Sequence, residues 1–490
     1  MVKRILLAAL SLVVLLAAVV VARTLGYSSR QLPAEPSSEL AVDAAGAAQR
    51  LAGALRFQTV SHQDSMQFDA AEFRRFQDYL ATSFPRVHAT LRREAVGRFS
   101  LLFRWAGADT ALPPVVLMAH QDVVPIEPGT ESKWTHPPFA GEIAEGYVWG
   151  RGAMDDKGSL MAQLEAIETL LAGGASPRRT VYLALGHDEE VGGRAGAAAI
   201  AALLASRGVR PAFVLDEGGA VATGLVPGVP GPVALVGIAE KGYLTLELTV
   251  RVEGGHSSMP PRQTAVGILS AAIDELEEHP VPGGIRGPTA KMFDYLGPEL
   301  SFGLRLLFAN RWLFGGLLAS RFGATPAGNA MLRTTTAPTI VEGGVKENVL
   351  PSMARAMVNF RLLPGDSIAG IVEYVRRTID DPRVTVTIPE TFKTEPSPVS
   401  PVDAEEFRLL TRAIRQVVPE AIVVPWLVVG GTDSRYFARL TPNVYRFAAT
   451  PIGPSDLERA HGTDERMSVE GHARNIRFYV RLLTNAVLNP

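Results

Sequence analysis

Short apolar runs alternate with longer helical patterns from about residue 42 onward. Continuous apolar runs at 114–119, 180–185 and 212–215 predict buried strands. Between the first two runs, apolar residues recur at helical spacing and predict a helix: Leu160, Leu164, Ile167 and Leu171. Strands that alternate with helices are typical of an α/β fold with a mostly parallel sheet.

A different pattern begins after residue 241. Polar and apolar side chains alternate over 243–252, which predicts a half-exposed antiparallel strand. A helix is predicted at 265–278, and further strands are predicted at 354–362 and 383–388. Because 490 residues exceed one ordinary core, we predict two domains. The first has two parts, 41–239 and 396–490, and the second is an inserted α+β domain at 240–395.

The stretch at 300–322 is rich in Leu and Phe but is interrupted by Arg305, Asn310, Arg311 and the pair Gly315-Gly316. One interpretation is a helical hairpin packed on the core of the inserted domain itself. The other is an apolar platform for a lipid-like substrate or for a membrane surface. The charged residues make a second membrane span a poor interpretation.

The first 27 residues are predicted to be separate from the fold. Lys3 and Arg4 precede an unbroken apolar run at 5–22, which ends at Arg23. As a helix this run would span about 27 Å, close to the hydrocarbon thickness of a bilayer. We therefore predict a transmembrane anchor at 1–27, and the positive flank places the catalytic domain outside the cytoplasm.

A cleaved signal segment is the alternative to the anchor. The small residues at 20–22 resemble a cleavage site, and cleavage there would give a secreted or periplasmic protein. In either case, Pro33 and Pro36 indicate a linker at 28–40.

Composition excludes several chemistries. The chain has no cysteine, so disulfides, thiolate–metal sites and cysteine nucleophiles are excluded. Its 48 Lys and Arg residues are balanced by 50 Asp and Glu residues, so no basic excess favours a nucleic-acid partner. Any bound metal must therefore be held by His, Asp and Glu.

Histidine and carboxylate residues follow the predicted strands or precede a predicted helix: His120, Asp122, Asp155, Glu189, Glu190 and Asp216. Since ligands collect at the carboxyl ends of strands in open α/β sheets, we expect these residues to converge. Imidazole nitrogen and carboxylate oxygen are zinc ligands, and a pair of ions needs a bridging carboxylate. One of two adjacent glutamates can bind metal while the other accepts a proton, and His461 could complete the shell.

Three segments carry a family resemblance: 120–125 (HQDVVP), 149–158 (WGRGAMDDKG) and 188–193 (DEEVGG). They resemble the signature blocks of the di-zinc family that includes carboxypeptidase S, aminoacylase, acetylornithine deacetylase and glutamate carboxypeptidase. Residues 255–260 (GHSSMP) and 430–433 (GGTD), together with the histidine near the end, complete the series.

The long insert and the Leu-Asp-Glu-Gly block at 215–218 resemble the carboxypeptidase S branch. That branch also contains secreted enzymes that act on N-fatty-acyl amino acids.

The resemblance implies two zinc ions, and each matching residue would be a ligand of one or both. Asp155 would bridge the ions, His120 and Asp216 would bind one of them, and Glu190 and His461 would bind the other. Cobalt or manganese would suit the same nitrogen and oxygen ligands.

The resemblance also implies the catalytic roles. Glu189 would be the general base, and Asp122 would support the imidazole of His120. His256 resembles the histidine that stabilises the oxyanion, which in dimeric members reaches across from the partner subunit.

Substrate contacts follow from the same resemblance. By this resemblance the inserted domain at 240–395 is a lid (dimerisation) domain. Its Asn348 and Arg361 match positions that hold the substrate carboxylate, a task that suits a planar guanidinium. A glycine turn would line the substrate pocket: Gly430, Gly431 and Thr432.

The expected function is therefore zinc-dependent hydrolysis of an amide bond next to a free carboxylate, as in a carboxypeptidase or dipeptidase. One alternative is a deacylase of N-acyl amino acids, including those with fatty acyl chains. A more distant alternative is a non-catalytic, membrane-tethered binding protein. The expected partners are a small peptide or N-acyl amino acid, a membrane and a second copy of the chain, and no nucleic acid.

Overall fold

A computed structural model of the chain describes residues 1–35 and 40–489. Pro36, in the predicted linker, lies outside the described residues. The helices are α1 Val2–Leu25, α2 Ala44–Leu55, α3 Ala70–Ser83, α4 Pro85–Thr90, α5 Lys157–Ala172, α6 Ala197–Ser206, α7 Ala265–Glu278, α8 Gly287–Leu296, α9 Phe302–Ala309, α10 Arg311–Phe322, α11 Pro326–Leu332, α12 Ile368–Ile379, α13 Glu405–Val417 and α14 Val469–Leu483.

The strands of the described residues are β1 Arg92–Val96, β2 Ser100–Trp105, β3 Val115–His120, β4 Glu142–Ala144, β5 Tyr147–Trp149, β6 Val181–Gly186, β7 Phe213–Asp216, β8 Ala220–Ala222, β9 Val233–Glu240, β10 Gly242–Arg251, β11 Gly255–His256, β12 Thr335–Gly343, β13 Val349–Leu350, β14 Met353–Leu362, β15 Val384–Thr387, β16 Ile422–Val428, β17 Val444–Arg446, β18 Pro451–Ile452 and β19 Arg466–Ser468.

The larger sheet has the order β1-β2-β6-β3-β7-β17-β9-β8-β18, and β16 pairs with β9. Its centre is parallel, because β6, β3, β7 and β17 all run in one direction. The three apolar runs of the sequence are β3, β6 and β7, each shifted by one residue and fully buried. Burial on both faces explains why these strands are continuously apolar. The predicted α/β fold with a mostly parallel sheet is confirmed.

Helices cover both faces of this sheet. Leu117 and Ala119 of β3 pack on one face, in a core shared with α2, α5, α13 and α14. Val116 and Met118 pack on the opposite face against α6. His120 is the last residue of β3, so it leaves this core at the carboxyl edge of the sheet.

A second, four-stranded antiparallel sheet has the order β12-β14-β10-β15. It shares a separate core with α7 and α12. The Thr264 hydroxyl caps the N-terminus of α7 by accepting a hydrogen bond from the amide of Gly267. Side chains along β10 and β14 alternate between buried and half-buried, as their sequence pattern predicts. The predicted bounds of the lid domain stay a prediction.

The stretch at 300–322 forms a hairpin of two helices, α9 and α10. It does not pack on the core of the four-stranded sheet. Phe308 and Phe322 instead contact Phe293 of α8, in a core that includes Val424 of β16. Phe293 lies within the predicted insert at 240–395, and the core around it is shared with strands of the larger sheet. The expectation of packing on the insert's own core stays a prediction.

Helix α1 is the one helix in residues 1–35 and 40–489 that is long and apolar enough to cross a membrane. Its position and composition fit either a signal anchor or a signal peptide. Most of its side chains are exposed, but Val20 and Thr24 in its last turns are buried.

Candidate active site

The carboxyl edge of the parallel strands gathers the predicted site residues. His120 ends β3, Glu189 and Glu190 lie in a short helical turn after β6, and Glu217 follows β7. Asp155 comes from the loop that precedes α5. Neighbouring parallel strands thus deliver side chains from distant parts of the sequence to one place.

His120 is oriented by its own strand end. Its Nδ1 donates to the backbone carbonyl of Asp122 at 2.9 Å, so its Nε2 lone pair faces the carboxylates of Asp155 (2.9 Å) and Glu217 (3.4 Å). Burial alone would lower the pKa of His120, but these carboxylates raise it well above its ordinary value. An imidazole nitrogen that faces two carboxylates is an arrangement that a cation stabilises.

Asp155 lies between the two histidines. Its Oδ1 is 2.9 Å from His120 Nε2, and its Oδ2 is 3.0 Å from His461 Nε2. Glu190 Oε2 lies 3.3 Å from the same nitrogen of His461. Hydrogen bonds to these two carboxylates raise the pKa of His461 to about 10. The arrangement suits a bridging role for Asp155.

Asp216 does not join this cluster. Its Oδ2 accepts a hydrogen bond from the backbone amide of Ser434 at 2.8 Å, so its carboxylate faces the 430–434 loop. Glu217, the next residue, takes the place beside His120. The structure thus places Glu217, and not the expected Asp216, beside His120, because the chain turns immediately after β7.

Asp122 supports two parts of the cluster. Its buried carboxylate accepts from the Ser61 hydroxyl at 2.6 Å and from the backbone amides of Glu189 (3.2 Å) and Glu190 (3.1 Å). Its backbone carbonyl orients His120. This geometry accords with the predicted supporting role.

Glu189 has a carboxylate that is free of the two histidines. Its Oε1 lies 3.4 Å from Arg435 Nη2, and its side chain is only 11% exposed. Burial raises the pKa of Glu189 well above its ordinary value, and the carboxylate of Asp433 adds to this rise. A carboxylate with a raised pKa beside a metal cluster is suited to accept and return a proton.

Arg361 is connected to the site by a series of contacts between guanidinium groups and aromatic rings. Its guanidinium lies 4.5 Å from the ring centre of Tyr243, which contacts Phe392 at 5.6 Å. Arg435 lies 5.3 Å from the Phe392 ring centre and next to Glu189. Burial lowers the pKa of Arg361, and the charge of Arg435 lowers it further. The charges of Arg361 and Arg435, on either side of this aromatic pair, favour an anionic ligand nearby.

His256 and Asn348 lie together, away from the cluster. The amide of Ser257 donates to the Asn348 carbonyl at 3.2 Å, and His256 Nδ1 contacts only Ser258. Within residues 1–35 and 40–489, no hydrogen bond or ion pair joins either residue to the His120 cluster. In the described residues, His256 is thus bonded to its own loop and not to the cluster.

The glycine turn borders the site but its threonine has another partner. The Thr432 hydroxyl donates to Glu240 Oε1 at 2.6 Å. A Cβ on Gly431 would lie 3.1 Å from Arg435 Nη1, whereas one on Gly430 would meet open space. Only the backbone of this turn is thus available to line a pocket.

Glu465 organises the loop that carries Asp155. Its buried carboxylate accepts from the backbone amides of Gly152, Met154 and Asp155, and from Arg151 Nη1 at 2.6 Å. Arg151 Nη2 also donates to the backbone carbonyl of His461 at 3.1 Å. The buried ion pair of Arg151 and Glu465 therefore fixes both the loop of Asp155 and the loop of His461.

We expect Glu465→Ala to lower the free energy of unfolding by about 3–5 kcal/mol, because the substitution leaves Arg151 buried without its charge partner. Urea unfolding of the detergent-solubilised full chain would measure the change. Glu458→Ala, at an exposed glutamate nearby, is the matched control and should change stability little. Equal stability of the two variants would contradict the assigned role.

The donor set fits a metal ion. Ligand atoms of His120, Asp155 and Glu190 lie within 4.8 Å of one another, and so do those of a second group formed by His120, Asp156 and Glu217. Glu190 Oε1 and Asp156 Oδ1 are buried and have no hydrogen-bond partner in the described part of the chain. Since such orphaned oxygens are costly, a bound cation would stabilise them.

Sequence reasoning missed four residues of this site: Asp156, Glu217, Arg435 and Glu465. Asp156 stands beside Asp155, which was the residue predicted there. Glu217 stands beside Asp216, and, as with Glu189 and Glu190, only one carboxylate of such a pair can face the metal. Arg435 lies three residues beyond the glycine turn, but a lone arginine there carries no pattern. Glu465 gives no local signal, since its partners lie more than 300 residues away.

The chain is similar to several known proteins. A probable carboxypeptidase S-like 2 of Dictyostelium discoideum is 42% identical over 442 residues, covering 89% of this chain and 84% of the relative. An N-fatty-acyl-amino acid synthase/hydrolase of Xenopus tropicalis is 43% identical over 440 residues, covering 89% and 85%. A solved M20 family metallo-carboxypeptidase from Sulfolobus solfataricus has the same fold, with a TM-score of 0.65 at 18% identity, covering 90% of this chain and 99% of that chain.

The match extends over most of the catalytic sheet and the segments that carry the cluster. The model of Peptidase family M20/M25/M40 matches residues 116–485. This range contains every residue of the candidate metal cluster, from His120 to His461. The chain belongs to peptidase family M20/M25/M40.

Proposed function

We propose that this metallopeptidase-family enzyme uses two zinc ions to hydrolyse the amide bond between an acyl group and an amino acid with a free carboxylate. The observation that carries the proposal is Asp155, whose two oxygens face two different histidines at 2.9 and 3.0 Å. A carboxylate in this position is suited to bridge two ions. The two relatives have names that refer to a carboxypeptidase and to an N-fatty-acyl-amino acid hydrolase.

The proposed ligands divide into two sets around Asp155. His120 and Glu217 would hold one ion, and Glu190 and His461 would hold the other. Zinc in such a site lowers the pKa of a bound water and polarises a carbonyl. Cobalt or manganese would fit the same donors.

Glu189 would move the proton. It would take a proton from the attacking water and return it to the leaving amine nitrogen when the amide bond breaks. Its burial and raised pKa support both halves of this task, since the group must hold the proton between the two steps. Arg435, 3.4 Å away, would keep the carboxylate in place.

Arg361 and Arg435 would bind the free carboxylate of the substrate. Their guanidinium groups lie on either side of the aromatic pair Tyr243 and Phe392. Charge-assisted hydrogen bonds from a guanidinium are strong and directional. Amides without a carboxylate would lose this contact.

The acyl side of the amide bond has two candidates. The first is the aminoacyl group of a peptide, and the second is a fatty acyl group. It is favoured by the name of the Xenopus relative and by similar names among the relatives of mouse and human, which are 42% and 40% identical. An apolar helix at the N-terminus would bring such an enzyme to a membrane, where long-chain amphiphiles concentrate.

Hydrolysis of a substrate panel by the zinc-loaded full chain tests the proposal. The panel contains dipeptides, N-acyl amino acids of rising chain length, and the matching carboxamides that lack the free carboxylate. We expect the carboxamides to show kcat/KM values about 10- to 100-fold lower, because hydrogen bonds to charged groups contribute about 1.5–3 kcal/mol. Equal rates for acids and carboxamides would contradict carboxylate recognition, and the chain-length series distinguishes the two acyl classes.

His256 would act in a dimer. It is exposed, lies away from the cluster of its own chain and is therefore available to a second copy. Strand β12 is an edge strand of the four-stranded sheet, and its Ile340 and Val341 are more than half exposed. Exposed apolar edge strands favour pairing between chains. We place the dimer contact at this edge.

The catalytic body would lie outside the cytoplasm, with α1 as an uncleaved anchor. Lys3 and Arg4 precede the apolar run and favour a cytoplasmic N-terminus.

A further inference from the structure

We propose that the hairpin α9–α10 is a membrane-contact surface that, together with α1, holds the catalytic sheet in a fixed orientation on the bilayer. The occupant of this surface is the interfacial layer of a lipid bilayer. The inference rests on the proposed membrane anchor, but it does not depend on the hydrolytic reaction.

The outer face of the hairpin is apolar. Trp312, Leu313 and Leu317 of α10 are 56%, 44% and 49% exposed, and Phe302 of α9 is 54% exposed. A helix on the surface of a water-soluble protein normally turns polar residues outward. Contiguous exposed apolar residues instead mark a contact surface.

The charge of the hairpin suits a lipid headgroup layer. Between residues 300 and 322 there are three arginines and no Asp or Glu. Arg311 is paired with Asp294 of α8, which leaves the charges of Arg305 and Arg321 for headgroups. Basic residues near a membrane are attracted to anionic lipids, and tryptophan is enriched at the membrane–water interface. Apolar, aromatic and cationic side chains therefore occur together on one short segment.

Helix α1 reaches the body of the protein at this hairpin. The buried side chain of Asn310, which joins α9 to α10, donates from Nδ2 to the Val20 carbonyl and to the Thr24 hydroxyl, each at 3.1 Å. Arg23 and Trp312 line the same groove beside this contact. Since the residues of α1 before Val20 are exposed on all sides, the helix would leave the lipid where the hairpin begins.

The segment after α1 is bound to the larger sheet instead of hanging free. The Tyr27 hydroxyl donates to the Phe293 carbonyl at 2.6 Å. The Gln31 side chain then pairs with the backbone of Val423 in both directions, at 3.0 and 2.8 Å, along the outer edge of β16. These bonds transmit the direction of α1 to the sheet that carries the active site.

Tryptophan quenching by brominated lipids tests the surface. The chain has five tryptophans, of which Trp105, Trp134 and Trp149 are buried and Trp312 is more than half exposed. The full chain would be reconstituted into vesicles of phosphatidylcholine and phosphatidylglycerol with brominated acyl chains. We expect strong quenching that falls at least twofold in Trp312→Phe. Equal quenching of the two proteins would overturn the proposal.

A second pair of variants tests the apolar face itself. Leu317→Asp places a charge on the exposed face and should reduce the quenching of Trp312, whereas Met66→Asp, at another exposed apolar residue, should not. If a second copy covers the hairpin instead, Trp312 will stay unquenched and Leu317→Asp will reduce the size of the oligomer in detergent. That outcome would also overturn the proposal.

Two further measurements on the same samples separate the inferences. Flotation of the vesicles reports whether α1 anchors the chain, whatever the position of the hairpin. Hydrolysis of a short, water-soluble substrate reports the proposed function. Quenching without hydrolysis would refute only the function, and hydrolysis without quenching would refute only the membrane surface.

Discussion

Glu189→Ala is expected to lower kcat by about 100- to 10,000-fold while the metal content of the protein stays unchanged. This range is the usual contribution of a positioned general acid–base group. The separation of the two effects follows from the structure, because the Glu189 carboxylate contacts Arg435 at 3.4 Å and makes no contact with either histidine. Metal analysis by mass spectrometry and steady-state kinetics on one preparation would measure both quantities.

The adjacent glutamate is the matched control for this experiment. Glu190→Gln should reduce metal content as well as turnover, since Glu190 lies 3.3 Å from His461 inside the cluster. Near-normal turnover of Glu189→Ala would remove the assigned base. Loss of metal in Glu189→Ala would show that this carboxylate is a ligand instead.

The sheet could be predicted because its central strands are buried on both faces. Val115–His120, Val181–Gly186 and Phe213–Asp216 are continuous apolar runs followed by polar site residues, and both features are visible in the sequence. The alternating strands of the smaller sheet were predicted for the related reason that one face is buried.

The packing of the hairpin at 300–322 could not be predicted in the same way. Its Leu and Phe content indicates contact with something apolar, but it does not say which core. Its ring contacts are with Phe293 of α8, and the same core contains Val424 of β16, more than 90 residues further along the chain. Composition carries no information about such a contact.

The site was predictable where one residue type stands alone. His120 and His461 each lack a competing histidine at the turn, and the structure brings both to the carboxylate of Asp155. Where two carboxylate residues are adjacent, the role of each depends on where its side chain points. That in turn depends on how the backbone turns after the strand. The Asp216-Glu217 pair shows this, because only the second residue faces His120.

That pair provides the other prediction with a large expected effect. Glu217→Ala should weaken metal binding by more than the roughly 10- to 100-fold typical of outer-shell partners, because it removes an oxygen that lies 3.4 Å from His120 Nε2. Turnover should fall with the loss of metal. Competition with a chelator, read as metal per chain, would measure the affinity.

Asp216→Asn should behave differently. Its oxygen accepts a hydrogen bond from the Ser434 amide at 2.8 Å, and the asparagine side chain keeps an acceptor in that position. We expect this variant to retain its metal and to shift the urea midpoint only slightly. If Asp216→Asn lost its metal while Glu217→Ala kept it, the ligand would be Asp216. The cluster would then have to rearrange at the end of β7 when it binds a cation.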